Sequence, residues 1–245
     1  MLAIIGGSGL TSLANLEITH RQVIRTPYGE PSGPLTFGRI RSQEIIFLAR
    51  HGYGHTIAPH EVNYRANLWA LHSQGVKDVV AVNSVGGIHA ALAPGVIALP
   101  DQILDYTHGR KHTFFEGVDR PVTHVDFTHP YCETLRARCK TAAQRAGIAM
   151  EPGGVYAAVQ GPRLETKAEI DRLERDGATM VGMTGMPEAG LARELELCYA
   201  AITVVANHAA GRGASSERIE LAAIYQFLEE GMAKVRHSLE TLVTK

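Results

Sequence analysis

An α/β fold, one domain with a central mixed β-sheet flanked by helices, is what this sequence predicts, and three observations predict it. Apolar runs of strand length alternate with segments of helical periodicity along the whole chain. Residues 78–82 (Asp-Val-Val-Ala-Val) are almost continuously apolar, as in a strand covered on both faces. No linker, repeat or low-complexity stretch interrupts the order, so residues 1–245 are expected to share one core.

Residues 1–5 read as a short buried strand ending in a glycine turn, and residues 44–49 (Glu-Ile-Ile-Phe-Leu-Ala) as a second, followed at once by Arg50-His51-Gly52. Residues 63–73 carry apolar side chains at helical spacing and end near Gly75, a helix stop. The strand at 78–82 runs into Asn83-Ser84-Val85-Gly86-Gly87, and 96–100 is a further short strand. A helix over 130–146 is stopped by Gly147. A strand over 154–159 leads into Gln160-Gly161-Pro162-Arg163, and an amphipathic helix follows over 167–175. The remaining elements are a strand at 180–183, a helix at 188–195, a strand at 199–205 and a C-terminal helix at 219–242.

With 45% hydrophobic and 20% charged residues, the composition is that of an ordinary globular protein. A formal net charge of −1 provides no global field for nucleic acid or an anionic membrane, so any phosphate chemistry must come from a local site. Cys132, Cys139 and Cys198 match no zinc or redox spacing, and an odd, sparse count suits a reducing cytosol. The N-terminal apolar run is too short for a signal peptide or a membrane span and has no basic leader. A cytoplasmic enzyme is the expectation.

The polar residues of interest gather just after strand ends, where open α/β sheets bind ligands. Gly6-Gly7-Ser8-Gly9 offers closely approaching backbone N–H groups and one hydroxyl to an anion. A dinucleotide fingerprint is the alternative reading, though Ser12 stands where its third glycine belongs; a Walker loop is excluded because no Gly-Lys-Ser/Thr follows. Arg50-His51 supplies a guanidinium fork and a ring nitrogen, and Thr184 a second hydroxyl. Alone, the glycine turn reads equally well as an ordinary tight turn, and Arg50-His51 and Thr184 read better as surface or structural residues. His108 and His112 are four apart, but Gly109 argues against a helix there and no third ligand accompanies them.

Glu165 and Asn207 carry a sharper chemistry. A 6-oxopurine presents N1–H as donor and O6 as acceptor. A carboxylate accepts only, so Glu165 can take N1–H, while the Asn207 amide can donate to O6 and accept from N7–H. A 6-aminopurine would turn a bare N1 lone pair toward the carboxylate. Sites matched in this way discriminate by roughly 10⁴-fold.

Taken together, Ile4-Ile5-Gly6-Gly7-Ser8-Gly9, Ala49-Arg50-His51-Gly52, the segment from Gln160 to Thr166 and Val204-Val205-Ala206-Asn207-His208 resemble the trimeric purine nucleoside phosphorylase and methylthioadenosine phosphorylase family. The resemblance covers nearly the whole chain and implies a sheet of the nucleoside phosphorylase type. It also implies that inorganic phosphate is held by Ser8, Arg50, His51, Ser84 and Thr184, with His55 nearby. Met183 would lie against the ribose, and His208 and Ala209 beside the base with Asn207. Ile219 would wall the 5′ substituent, and His124 would reach a neighbouring subunit's site in a homotrimer. Catalytic roles fall to Asn207, Glu165 and His51. No metal or organic cofactor is implied; phosphate is a co-substrate.

Within that family the adenosine-type branch has serine in place of Glu165 and aspartates in place of Asn207 and Ala209, so this chain matches the 6-oxopurine branch there. Residues 62–71 and Met183-Thr184 resemble the methylthioadenosine branch instead. The combination implies phosphorolysis of a 5′-methylthio nucleoside with a hypoxanthine base. Rival expectations are phosphorolysis of inosine or guanosine, phosphorolysis of methylthioadenosine, nucleoside hydrolysis, and non-catalytic nucleoside binding.

Overall fold

The computed structural model describes residues 1–117 and 121–244. At its centre lie β1 (Leu2–Gly6), β4 (Gln43–Ala49), β5 (Asp78–Gly87) and β10 (Cys198–His208), paired in parallel as β4-β1-β5-β10. Their residues are mostly apolar and, apart from Gln43 and Glu44 at the start of β4, largely buried, because helices cover both sheet faces. Ile4, Val80 and Ile202 point to one face, where α2 (Glu133–Arg145) and α5 (Leu221–Val243) pack. Ile5, Val79 and Ala201 point to the other, against α1 (Tyr64–Ser73) and α4 (Gly185–Glu194).

Beyond β4 the sheet continues antiparallel through β3 (Leu35–Ile40) to β2 (Glu17–Gln22). At the other end β9 (Met180–Gly182), β8 (Val155–Ala158) and β7 (Gln102–Asp105) follow, and β6 (Ile97–Ala98) pairs β10. Parallel and antiparallel registers together make the sheet mixed, as expected. α3 (Lys167–Arg175) starts in a capping box: the Thr166 hydroxyl accepts from the Glu169 N–H and the Glu169 carboxylate accepts from the Thr166 N–H.

β5 creates the opening that matters. Its first half pairs β1 along 78–81, and on the same chain Gly86 and Gly87 pair β9. Between these registers, where β1 has already turned away at Gly6, residues 82–85 face a gap in the sheet. Such switch points are where open sheets leave crevices beyond the strand ends.

Several elements differ from expectation. β2, β3 and β7 lack sequence signals strong enough to predict them. β2 (Glu-Ile-Thr-His-Arg-Gln) is exposed along its length as an edge strand and so has no apolar alternation to read. Helix α2 starts three residues later than predicted, and α4 begins at Gly185. The thiol expectation is corrected: Cys132, at the N-cap of α2, and Cys198, at the start of β10, form a disulfide with Cα atoms 5.1 Å apart. Tertiary pairing brings them together across 66 residues, which spacing alone does not reveal. Cys139 stays free and buried, and burial pushes its thiol up to about 12. Among the described residues no helix is long and apolar enough to cross a membrane.

Candidate functional site

A cavity of about 790 Å³ occupies the gap beside β5. Ser8, His51, Ser84 and Thr184 line one end of it, and Glu165, Met183 and Asn207 also line it. The residues come from β-strand ends remote in sequence: the β1 turn, the β4 end, mid-β5, the β8–α3 and β9–α4 loops and the β10 end.

At the strand-end turn, Gly7 is required by close approach. A Cβ there would sit 2.5 Å from the Val82 carbonyl oxygen and 2.8 Å from Arg50 Nη1. The turn therefore rests directly on Arg50. That arginine is wholly buried, with Nε donating to Glu188 Oε2 (2.7 Å), Nη2 to Glu188 Oε1 (2.8 Å) and Nη1 to the Val82 carbonyl (3.0 Å). Glu188 also accepts from the Tyr199 hydroxyl at 2.8 Å. Burial alone would lower the Arg50 pKa, but the Glu188 charge and hydrogen bonds hold it above its ordinary value, so it remains a cation. Each Nη retains one N–H beyond these bonds, and Arg50 forms part of the cavity wall. With Glu188 compensating its charge, what Arg50 has left beyond these bonds is N–H groups rather than a free positive charge.

His51 is buried, and its Nδ1 lies 2.8 Å from the Ile57 carbonyl. A carbonyl only accepts, so this nitrogen carries the proton. Burial first, then the adjacent Arg50, lowers the ring's pKa to about 4. In the neutral ring Nε2 is an acceptor, suited to a protonated phosphate oxygen rather than to a bare one. His55 is more exposed, and its Nε2 lies 3.4 Å from Ser8 Oγ.

The Thr184 hydroxyl accepts from Asn83 Nδ2 at 2.8 Å, which leaves its own O–H free to donate, and its backbone N–H reaches the Tyr156 hydroxyl at 3.4 Å. Ser84 stands next to Asn83 on β5, half-buried on the cavity wall.

At the other end, Glu165 immediately precedes the Thr166 cap, so the capping box sets the direction from which the chain delivers it. It is half-buried, and desolvation raises its carboxyl above the usual carboxylate value. Asn207 follows a register shift in β10: it pairs Gly86 after Val205 pairs Val85, leaving Ala206 as the extra residue. Such bulges re-aim side chains. Asn207 Nδ2 donates to the His208 carbonyl at 2.7 Å. Gly161 (φ +59°) closes this end, since a Cβ there would sit 2.4 Å from Met183 Sδ.

The cavity thus brings together Ser8, Arg50, His51, His55, Ser84, Glu165, Met183, Thr184 and Asn207. His208 and Ala209 do not line it. The His208 ring packs on Gly213, and Ala209 is buried with its N–H donating to the Gly87 carbonyl. Ile219 does not line it either; Leu221, Ile224, Tyr225 and Leu228, from the first turns of α5, form that wall. The helical spacing of these four was visible in the sequence, but the start of α5 was placed two residues early. His124 is exposed and away from the cavity of its own chain. His108 and His112 are exposed and outside any helix. Glu188 and Asn83 were missed as site residues. The available signal for Glu188 was a charge in an otherwise apolar helical stretch, Met186-Pro187-Glu188-Ala189-Gly190-Leu191.

A family model described as the phosphorylase superfamily matches residues 1–244. The chain is 52% identical over 242 residues to a probable S-methyl-5′-thioinosine phosphorylase of Pseudomonas syringae pv. tomato, covering 99% of this chain and 98% of that protein. It is 42% identical over 250 residues to a 6-oxopurine nucleoside phosphorylase of Pyrococcus furiosus, covering 100% and 93%. Among solved structures it superposes on methylthioadenosine phosphorylase from Schistosoma mansoni in complex with adenine with a TM-score of 0.94, at 31% identity, covering 99% and 90% of the two chains.

Proposed function

From the premise that this chain belongs to the phosphorylase superfamily, we propose that it is a phosphate-dependent pentosyltransferase of purine salvage whose preferred substrate is S-methyl-5′-thioinosine. The products are hypoxanthine and 5-methylthioribose 1-phosphate. One observation carries the base assignment: Glu165 and Asn207 line the same cavity as Ser8, Ser84 and Thr184. A nucleoside needs both ends at once, whereas a mere purine binder has no use for the second.

Cleavage of the N-glycosidic bond builds positive charge on the ribose and negative charge on the purine. Phosphate held by Ser8, Arg50, His51, Ser84 and Thr184 attacks C1′ and offsets the ribose charge. As the C1′–N9 bond breaks the leaving base gains a proton at N7, balanced by the proton that hydrogen phosphate loses on forming the sugar phosphate. Asn207 Oδ1 then accepts a hydrogen bond from N7–H and Nδ2 donates to O6, for which the amide must release the His208 carbonyl. Glu165, ionised, accepts N1–H. These contacts tighten as charge develops, which raises rate and not only affinity. Met183 packs against the ribose.

Leu221, Ile224, Tyr225 and Leu228 give this side of the cavity apolar surface that suits a methylthio group at the 5′ position, although Leu221 and Tyr225 are exposed and Glu229 and Arg236 of the same helix also line the cavity. Inosine is the second reading. Glu165 and Asn207 fit its base equally well, and a relative 42% identical is named a 6-oxopurine nucleoside phosphorylase. The working unit in this proposal is a cytoplasmic homotrimer in which His124 completes a neighbour's site, with no metal or organic cofactor.

The decisive experiment measures release of free base from methylthioinosine, inosine, guanosine and methylthioadenosine, with and without phosphate. Phosphate-dependent release, fastest from methylthioinosine, is expected. Faster release from methylthioadenosine would overturn the assignment of Glu165, and phosphate-independent release would make the protein a hydrolase.

A further inference from the structure

Arg110 belongs to none of the motifs that line the cavity, yet its guanidinium sits directly behind two of them. It is buried, on the segment between β7 and α2. Among the described residues its hydrogen-bond partners are neutral. Nη2 donates to the carbonyls of Gln160 (2.9 Å) and Val159 (3.3 Å), and Nε to Gln160 Oε1 (3.3 Å). Nη1 donates to the carbonyls of Met183 (2.8 Å) and Met186 (2.7 Å), with the Tyr64 hydroxyl at 3.3 Å. One planar fork therefore spans two loops. The first runs from β8 to α3 and delivers Glu165; the second runs from β9 to α4 and delivers Met183 and Thr184.

The position of this fork is telling. β8 and β9 are paired up to Ala158 and Gly182, and the last backbone bond between them is the Val159 N–H to the Gly182 carbonyl at 2.8 Å. Past that point sheet pairing no longer holds the two chains in register. Arg110 takes over there, binding Val159 and Gln160 on one side and Met183 and Met186 on the other. Burying a cation among neutral acceptors is costly unless its N–H groups are satisfied. Here every nitrogen of the guanidinium is engaged, and a lysine ammonium, with three donors at one point, could not bridge the same carbonyls.

We infer that Arg110 is a positioning residue that fixes the base-holding loop at a set distance from the loop holding ribose and phosphate. The inference rests on the proposed phosphorolysis, since only a substrate that engages both loops together senses their separation.

The test compares Arg110→Lys with the unaltered enzyme in three measurements: binding of phosphate alone, binding of hypoxanthine alone, and kcat/KM for the nucleoside. Of the two loops that Arg110 ties together, each ligand alone touches only one, so both dissociation constants should stay within about threefold of the unaltered protein, while kcat/KM falls by about 10²-fold, mostly in kcat, as for an ångström-scale misplacement of reacting groups. If both separate affinities weaken as much as kcat/KM falls, or if kcat/KM per folded molecule is unchanged, the inference is overturned. Should Arg110→Lys not fold, Gln160→Ala decides: it removes a half-buried acceptor of Nε, and it should lower kcat/KM by about tenfold with both separate affinities retained. Unchanged turnover in that variant overturns the inference equally. Absence of phosphate-dependent base release by the unaltered enzyme would instead sink the proposed function.

Discussion

Replacing Glu188 by alanine removes both carboxylate oxygens that hold Arg50 at 2.7 and 2.8 Å and strands the Tyr199 hydroxyl that donates to one of them. Neither member of the pair has any solvent exposure, so water cannot take over the lost contacts. Breaking a buried pair by removing one partner costs about 3–5 kcal/mol, because a desolvated charge is left uncompensated. For a chain of this length each kcal/mol moves Tm by about 2–4 °C, which places the expected drop at roughly 6–20 °C. Thermal unfolding followed by circular dichroism, checked by urea titration, reads it directly. A double variant, Arg50→Met with Glu188→Leu, removes both charges and keeps much of the volume, so it should regain most of the lost stability. In the proposed function it should nevertheless remain inactive in phosphorolysis, since it lacks the N–H groups that Arg50 would offer to phosphate. A Glu188→Ala loss below about 1 kcal/mol, or a double variant no more stable than the single one, would refute the view that a compensated buried charge organises the phosphate end.

Burial raises the Glu165 carboxyl, so it regains its proton at a higher pH than a surface glutamate does. Hypoxanthine affinity should therefore be full on the alkaline side and fall by about tenfold per pH unit below that raised pKa. His51, lowered to about 4, stays neutral through the same window. Calorimetric titrations from about pH 8 down to the ordinary glutamate value of about 4.5 test this, with Glu165→Gln expected to flatten the profile; a flat profile in the unaltered protein would remove Glu165 from the base. The Cys132–Cys198 bond closes a separation of 66 residues, for which the chain-entropy relation gives about 4 kcal/mol. Dithiothreitol, or Cys132→Ala, should lower Tm by roughly 8–16 °C. Turnover well below the melting range should not change, because Cys198 and Asn207 lie at opposite ends of β10. Equal melting of the oxidised and reduced forms would show that the crosslink constrains nothing.

The central strands were legible because each is a local apolar run, and the run itself is the physical cause of burial on both faces. The glycine turn, Arg50-His51, Glu165 and Asn207 were legible as well, since their chemistry and their places after strand ends are properties of short segments. Strand β2 was not legible: an exposed edge strand owes its existence to the backbone partners of β3 and not to its own side chains. The wall of Leu221, Ile224, Tyr225 and Leu228 depends on where α5 begins, and an error of two residues is enough to put Ile219 in its place.

What the sequence by itself determined is the order of the central strands and helices and a set of candidate groups, Glu165 and Asn207 among them, that the fold then brings to one cavity. Tertiary structure alone decided that Glu188 neutralises Arg50 across 138 residues, that Cys132 reaches Cys198, and that Arg110 bridges two active loops. Hydrophobic periodicity and turn chemistry act over a few neighbouring residues, whereas a buried charge or thiol finds its partner only after the sheet has closed and water has been excluded.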